Sequence, residues 1–349
     1  LSNRGCRAQR TFCSVRNFNG TGVRRRKVDS VIDELLMLQE VYGVEHIMWL
    51  DDDFLYNRDE SMTLFNEMIR QNIQLTWDCT NGVIVAALTE EIVAAAAESG
   101  CIGMNLGVES GNEEILRSVK KPGTPKQFLR GAEILSKYPT IFVKVFLIIG
   151  FPKETYRQLL DTISLTKEMN MDWHLMQILQ PLPNTPIFDS MLEEGLIDAS
   201  DFSAIHVSSG AYGKVAKKSE KGLDLLERDF TNAFDVKNID TIVPQEALDD
   251  IWAYMNYHQN YATLFQEQRP IKLKQKLFNL NHIHEVIAPN DAMAMFFAGL
   301  LEKRIHGKIR KELKQTLKET LNKSLYWNNR FDEFGLSISQ LETTHEEFS

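Results

Sequence analysis

The sequence predicts an α/β fold, in which a partial barrel of parallel strands is followed by a mainly α-helical C-terminal domain. Two features of the 349-residue chain lead to this prediction. Between residues 28 and 179, five short apolar runs of β-strand character each follow a stretch with helical periodicity, and after residue 244 only helical periodicity continues. Such alternation is typical of parallel strands joined by right-handed crossovers, either in an open doubly wound sheet or in a full or partial (β/α) barrel.

The five helix–strand pairs follow one another in order. The first helix has apolar residues at helical spacing from Val28, and Gly43 marks its end. The first apolar strand, residues 46–50, runs directly into three aspartates, which indicates a buried strand that opens into a polar mouth. The remaining helices are predicted over 59–71, 89–99, 125–137 and 154–169, and the remaining strands over 73–79, 102–108, 141–149 and 173–179.

Three regions of different character divide the chain. We assign residues 1–198 to the core barrel, 199–240 to a polar and weakly periodic linker, and 241–349 to the helical domain. Residues 303–323 predict one basic amphipathic helix that packs on its own domain. We expect the helical domain to close the barrel mouth over a substrate. A stripe of aromatic residues at near-helical spacing predicts the core of this domain rather than a substrate wall: Trp252, Tyr254, Tyr257 and Tyr261.

Composition and charge narrow the class of protein. The 39 basic and 48 acidic residues give a net charge of −9, which disfavours extensive nucleic-acid binding, although the first thirty residues are markedly basic. Four cysteines are too few for a disulfide scaffold, and no apolar run approaches the ~20 residues of a membrane helix. We therefore expect a cytoplasmic protein without a transmembrane segment. Because the chain begins at Leu1 without a methionine, we also expect a piece of a longer polypeptide.

Polar residues gather where the predicted strands end. In parallel α/β folds, binding and catalytic residues lie at the carboxyl ends of the strands. We expect the side chains at these ends to converge on one rim. The positions concerned are Asp51 to Asp53, Asp78 and Thr80, Glu109 and Ser110, the turn 150–154, and Gln177 to Gln180.

Two cysteines lie seven residues apart in a loop near the start of the chain. Residues 4–13 read RGCRAQRTFC, so that Cys6 and Cys13 flank Arg10. Paired thiols in a reducing compartment suggest a metal site. Two cysteines alone do not complete a zinc or iron–sulfur site, and buried free cysteines are common.

This loop resembles the signature of the radical S-adenosylmethionine (SAM) enzymes, in which three cysteines are spaced CxxxCxxC after the first strand of a partial (β/α)6 TIM-like barrel. Cys6 and Cys13 match the first and third cysteines, Phe12 matches the usual aromatic residue, and Arg10 occupies the second cysteine position. Four further segments are similar in the same order, with Asn184 where glycine is usual. They are Trp49 to Phe54, residues 107–111 with 120–122, residues 150–155, and residues 181–186.

The resemblance implies a [4Fe–4S] cluster and SAM as cofactors, with Cys6 and Cys13 as metal ligands. It implies cleavage of SAM to a 5′-deoxyadenosyl radical and, since the closest subgroup carries a cobalamin-binding domain ahead of the barrel, cobalamin-dependent methyl transfer or related radical chemistry. We expect that domain and the first barrel strand to lie before Leu1. The implied partners are a small-molecule, natural-product or lipid-like substrate and an electron donor such as flavodoxin or ferredoxin. The implied SAM-binding residues are Phe12, Asp52, Asp53, Glu109, Ser110, Gly150, Pro152 and Gln177.

Two other functions stay open on the sequence. Arg10 favours a degenerate barrel that acts as a binding or scaffold protein, because a guanidinium has no lone pair to give to iron. Asp51 to Asp53 together with Glu109 favour a hydrolase or lyase that uses Mg²⁺ or Mn²⁺, because oxygen-rich sites prefer hard cations.

Overall fold

Helices and parallel strands alternate along the first part of the chain in the predicted order. The structure is a computed structural model in which residues 1–198 and 230–342 are described. The chain divides into two units, 1–207 and 208–349, and most of residues 199–240, which we predict to be a linker, lies outside the described residues. The predicted α/β class is confirmed, and the domain boundaries stay predictions.

The first unit is built on a five-stranded parallel sheet with the strand order β3-β4-β5-β6-β7. Its strands are β3 (His46–Trp49), β4 (Thr76–Ile84), β5 (Cys101–Glu109), β6 (Phe142–Ile149) and β7 (Trp173–Ile178). Each neighbour in space is also the next strand in sequence, which is the strand order of a (β/α) barrel. The helices of this unit are α1 (Val15–Asn19), α2 (Val28–Glu40), α3 (Arg58–Arg70), α4 (Glu90–Glu98), α5 (Glu113–Ser118), α6 (Pro125–Ser136), α7 (Tyr156–Met169) and α8 (Pro186–Glu193).

Side-chain caps fix the starts of the crossover helices. Asn57 accepts hydrogen bonds from the first backbone N–H groups of α3, and Thr89 and Thr124 do the same for α4 and α6. Thr155 and Gln158 form a capping box at the start of α7. These caps lie directly after the strand-end turns, so they also fix where each functional loop ends.

The two faces of the sheet differ in chemistry. Along β6, Val143 and Val145 are buried, while Lys144 and Phe146, which alternate with them, are half-buried. On the buried face, Trp77 of β4 stacks on Phe65 of α3 with ring centroids 5.4 Å apart, which shows that helices cover this side. The opposite face is the open face, and it carries the polar side chains of β4 and β6.

A very short two-stranded element near the start of the chain lies outside this sheet. Strand β1 (Asn3–Arg4) pairs antiparallel with β2 (Arg24–Arg25). The main sheet ends in β3 on one side and in β7 on the other, and Met48 of β3 is 57% exposed.

The described part of the second unit, residues 230–342, is helical. Its helices are α9 (Leu248–Asn256), α10 (Pro270–His282), α11 (Ala292–His306), α12 (Lys311–Lys323) and α13 (Leu325–Glu333), with π-helical turns at Tyr257–Tyr261 and Ile283–Ile287. The prediction of one helix over 303–323 is wrong, because Gly307 ends α11 in the left-handed conformation. Leu313, Leu317 and Leu321 of α12 are buried, so the apolar side of this helix does pack on its own domain. None of the described helices has the length and apolar character needed to cross a bilayer.

Candidate functional site

The three aspartates after β3 fasten the N-terminal segment to the sheet. The Asp51 carboxylate accepts from the backbone N–H groups of Ser2 and Asn3, the latter at 2.7 Å. Asp52 accepts from Gly5 N–H, also at 2.7 Å, and Asp53 pairs with the Arg7 guanidinium at 3.1 Å. These acids therefore act as an anchor for the loop that leads to Cys6, and the SAM contacts expected of Asp52 and Asp53 stay predictions.

The far end of the cysteine loop is held by a second set of contacts. Thr11 N–H donates to the Val119 carbonyl at 3.0 Å, and the Thr11 carbonyl accepts from Ile187 N–H at 3.1 Å. The Phe12 ring lies 5.9 Å from that of Phe151 and packs on a buried apolar cluster that includes Val119 and Ile187. The structure thus places Phe12 as an apolar anchor between α5, α8 and the turn after β6.

Arg10 lies between the two thiols of this loop. Its Nη2 is 3.8 Å from Cys6 Sγ, and Cys6 is buried while Cys13 is half-buried. Burial raises the pKa of the Cys6 thiol, although the Ala8 N–H and Arg10 oppose this. Burial also opposes the charge on Arg10, but Cys13, Glu109 and Cys6 together raise its pKa above the ordinary value. A permanent cation therefore stands where the family signature has its second thiol.

Glu109 and Lys121 form a buried ion pair beside this loop. Lys121 Nζ lies 2.8 Å from Glu109 Oε1, with side-chain exposures of 1% and 6%. Glu109 ends β5 at a bulge with φ = 68°, which turns its carboxylate towards Lys121. Burial lowers the pKa of Lys121, and Arg10 lowers it further, while Glu109 opposes both. The sequence places Lys121 in a family motif but indicates no role for it. Its role depends on burial, and the burial of a lysine depends on tertiary packing.

Ser110 is part of the local scaffold after β5. Its Oγ lies 3.3 Å from Thr162 Oγ1 and accepts from Asn112 N–H, and the Gly111 N–H donates to the same threonine at 2.8 Å. A Cβ added at Gly111 would lie 2.6 Å from the Asp161 carbonyl oxygen, so α7 approaches this turn too closely for any side chain. The role of Ser110 in SAM binding stays a prediction.

The turn after β6 is organised by a buried carboxylate that sequence reasoning missed. Glu154 Oε2 accepts from Gly150 N–H at 2.7 Å and from Phe151 N–H at 3.2 Å, and Gly150 has φ = 81°. Burial raises the pKa of Glu154 to about 8, although both hydrogen bonds oppose the shift. Pro152 is half-buried in this turn and the Gln177 side chain is exposed on β7. The SAM contacts expected of Pro152 and Gln177 stay predictions.

A second polar group lies on the open face of the sheet, further from the strand ends. His46 Nε2 is 3.4 Å from Asp78 Oδ2, while Asp78 Oδ1 and Thr80 Oγ1 are buried and have no hydrogen-bond partner in the described part of the chain. Burial lowers the pKa of Lys144 and raises that of Asp78, and each side chain partly offsets the shift of the other. Within the described residues no carboxylate lies within 4.0 Å of Lys144. Donors and acceptors on this face are therefore available to a bound molecule.

The other two cysteines do not join the loop thiols. Cys79 is buried and donates to the Gly103 carbonyl at 3.9 Å, and burial raises its pKa to about 12. Cys101 is buried with its pKa raised in the same way. Since iron binds the thiolate form, neither side chain is suited to replace the missing cysteine.

The residues present do not fit a cluster held by three thiolates. The loop supplies Cys6 and Cys13, and Arg10 has no lone pair for iron. Within residues 1–198 and 230–342, no group of three or more His, Cys, Asp and Glu side chains is arranged to hold a metal ion. The expectation that Asp51 to Asp53 and Glu109 surround Mg²⁺ is corrected on the same geometry, because Asp51 to Asp53 bind the N-terminal segment and Glu109 binds Lys121.

Known proteins match the first unit of the chain. Residues 2–166 match the family model of the radical SAM superfamily. An uncharacterised methyltransferase of Pyrococcus horikoshii is 28% identical over 197 residues, which are 56% of this chain and 42% of the relative. The cytidylyl-2-hydroxyethylphosphonate methyltransferase of Streptomyces wedmorensis is 27% identical over 210 residues, which are 57% of this chain and 38% of the relative. The chain therefore spans about two-fifths of the length of these curated relatives.

Two solved structures share the fold. The radical SAM methyltransferase TsrM from Kitasatospora setae was solved with cobalamin and a [4Fe–4S] cluster, and it has a TM-score of 0.51 at 20% identity. The match covers 56% of this chain and 36% of the TsrM chain. OxsB, a cobalamin-dependent SAM radical enzyme solved with aqua-cobalamin and SAM, has a TM-score of 0.51 at 13% identity and covers 99% of this chain and 56% of its own. At these identities the likeness shows the fold.

Proposed function

We propose that this chain, whose residues 2–166 match the radical SAM superfamily, is the SAM-binding core of a cobalamin-dependent, methyl-transferring enzyme. The observation that carries this proposal is the family match over residues 2–166 together with the loop built inside it. That loop is held at both ends, by Asp51 to Asp53 on one side and by the contacts of Thr11 and Phe12 on the other.

The named relatives support methyl transfer as the reaction class. The curated proteins described above carry the name methyltransferase, and others that match at 28% identity are named as methylthiotransferases or as tRNA methylthio-modifying synthases. The family implies SAM and a [4Fe–4S] cluster as cofactors, and TsrM and OxsB were solved with cobalamin. We assign cobalamin binding to a separate domain of the whole protein.

The residues of this chain give SAM binding a physical basis. Glu109 is a buried carboxylate at the end of β5, and ionised carboxylates are strong acceptors for ribose hydroxyls and ammonium groups. The half-buried guanidinium of Arg10 beside it suits the SAM carboxylate, because arginine matches such groups in a bidentate manner. Lys121 holds Glu109 in place, so we class it as a positioning residue.

We place the substrate on the open face of the sheet. Asp78, Thr80 and Lys144 offer two acceptors and one donor there, below the strand ends at which SAM would bind. Lys144 of β6 pairs in register with Asn105 of β5, which lies four residues before Glu109. The distance along β5 from the level of Lys144 to Glu109 is therefore roughly 13 Å. A small-molecule, natural-product or lipid-like substrate with a polar end fits this spacing, and flavodoxin or ferredoxin is the proposed electron donor.

Arg10 favours a second function for the same barrel. A loop with two thiols and a guanidinium supports a binding protein that retains SAM or substrate recognition without an assembled cluster. In this second function the contacts of Glu109 and of the open face remain, and the redox step is absent.

Calorimetric titration of the anaerobically prepared chain with SAM tests the proposal. We expect one SAM to bind per chain, and we expect Glu109→Gln to weaken binding at least about tenfold by removal of the charged acceptor. Glu113→Gln, at an exposed position of α5, is the matched control and should bind as the native chain does. No SAM binding before or after reconstitution with iron and sulfide would contradict the proposal. Binding of SAM without its cleavage, in both the native chain and Arg10→Cys, would favour the second function.

A further inference from the structure

The helical unit contains a cavity that the family relationship does not explain. The cavity has a volume of about 120 Å³, close to the roughly 150 Å³ at which an engineered protein cavity accepts benzene. Residues 252–334 form it, so it belongs wholly to the second unit. Six of its fifteen lining residues are aromatic: Trp252, Tyr257, Tyr261, Tyr326, Trp327 and Phe334.

Two π-helical turns shape this cavity. Tyr257–Tyr261 follows α9 and Ile283–Ile287 follows α10, and Tyr257, Tyr261 and Ile287 all line the space. A π turn adds one residue to a helical turn and shifts the side chains out of their usual register, and such turns are rare and concentrate at functional sites. The aromatic stripe that the sequence predicts to be core is buried at Trp252, Tyr257 and Tyr261, and the same three residues are also walls of the cavity.

One wall of the cavity carries a carboxylate without a counter-cation. Asp291 is 5% exposed, and its Oδ1 accepts from the Ala294 N–H at 2.9 Å at the start of α11. In the described residues, no Lys, Arg or His lies within 4.0 Å of this carboxylate. Burial raises the pKa of Asp291 to about 6, so the group is largely ionised at neutral pH.

Two charged side chains line the cavity, Asp291 and Arg330. Arg330 pairs with Glu333 and lies 5.3 Å from the centre of the Tyr326 ring. Glu333 therefore compensates the charge of Arg330, which leaves the Asp291 carboxylate as the open charge of the wall, and aromatic faces add a favourable field for a cation.

We propose that this aromatic cavity binds a small organic cation, an alkylammonium or quaternary ammonium group, with Asp291 as its counter-charge. The walls supply cation–π contacts and Asp291 supplies the ion pair that the folded chain leaves open. The proposal does not depend on the SAM-binding function proposed for the barrel, because every residue that carries it lies in the second unit.

Calorimetric titration with choline and with its neutral isostere 3,3-dimethylbutan-1-ol tests the proposal on the full chain. We expect choline to bind at least about tenfold more tightly than the alcohol, because only choline carries the charge. Asp291→Asn should remove this preference while the helix cap is kept, since Asn caps as well as Asp. Asp332→Asn, at an exposed position of α13, removes the same charge outside the cavity and should leave binding unchanged.

A cavity-filling variant guards against misfolding of the Asp291 variant. Ala253 lines the cavity on α9, and Ala253→Leu should block choline while the melting temperature stays within a few degrees of the native value. Equal affinity for choline and the alcohol, failure of choline to bind the native chain, or choline binding that survives Ala253→Leu would each overturn the proposal.

Discussion

Removal of the Lys121 side-chain charge should destabilise the barrel strongly. Lys121→Met keeps the length and the apolar stem of the side chain but leaves the Glu109 carboxylate in the interior without its partner at 2.8 Å. Breaking one side of a buried pair destabilises proteins by roughly 3–5 kcal/mol, because an uncompensated charge remains. Arg10 also acts on Glu109 from nearby, so we expect about 3 kcal/mol, the lower end of this range.

The measurement is urea unfolding at pH 7, followed by circular dichroism and tryptophan fluorescence. Lys120→Met is the matched control, because Lys120 is the exposed neighbour and should change the free energy of unfolding by less than about 0.5 kcal/mol. Glu109→Gln combined with Lys121→Met removes both charges and should recover most of the loss. A loss below about 1 kcal/mol in Lys121→Met, or a double variant as unstable as the single one, would refute the claim that this pair is desolvated.

Three further variants test other parts of the account. The pKa of Glu154 rises from 4.5 in the unfolded chain to about 8 in the folded one. The free energy of unfolding should therefore fall as pH rises from 4.5 to 8, by roughly 4–5 kcal/mol at most. Glu154→Gln should flatten this pH dependence in melting curves. Gly111→Ala should destabilise by about 1–3 kcal/mol through its clash with α7, whereas Gly299→Ala, which meets ordinary contact distances in α11, should be neutral or slightly stabilising in the same urea assay. Lys144→Met should stabilise by about 1 kcal/mol while it weakens substrate binding, and a loss of stability would count against an unpaired charge on the open face.

The sequence allowed the barrel core to be predicted element by element, because its strands are apolar runs between amphipathic helices. Strand β6 was expected over 141–149 and spans Phe142–Ile149, and α6 was expected over 125–137 and spans Pro125–Ser136. The short helices α5 and α8 were not expected, since six to eight residues give too little periodicity to detect. Both flank the cysteine loop and hold Phe12, so the unpredicted elements are the ones that position the site.

The candidate site was harder to predict than the fold, because residue type does not reveal which partner a polar side chain takes. Asp51 and Asp52 accept from backbone N–H groups of a segment about fifty residues earlier, a contact that the sequence does not indicate. Lys121 and Glu154 became visible only through their burial, which depends on how α5 and the turn after β6 pack. A lysine or glutamate with such neighbours looks like a surface residue in the sequence.

Iron and sulfide analysis of the anaerobically reconstituted chain, native and Arg10→Cys, tests the central claim that Arg10 occupies the second ligand position of an otherwise complete cluster loop. We predict that the native chain holds far less iron and sulfide than one [4Fe–4S] cluster requires, because it offers two thiolates and a guanidinium. Arg10→Cys should approach one full cluster per chain and gain SAM cleavage, and Cys13→Ala in that background should abolish the gain. A full, redox-active cluster in the native chain, or no gain of iron in Arg10→Cys, would contradict the account.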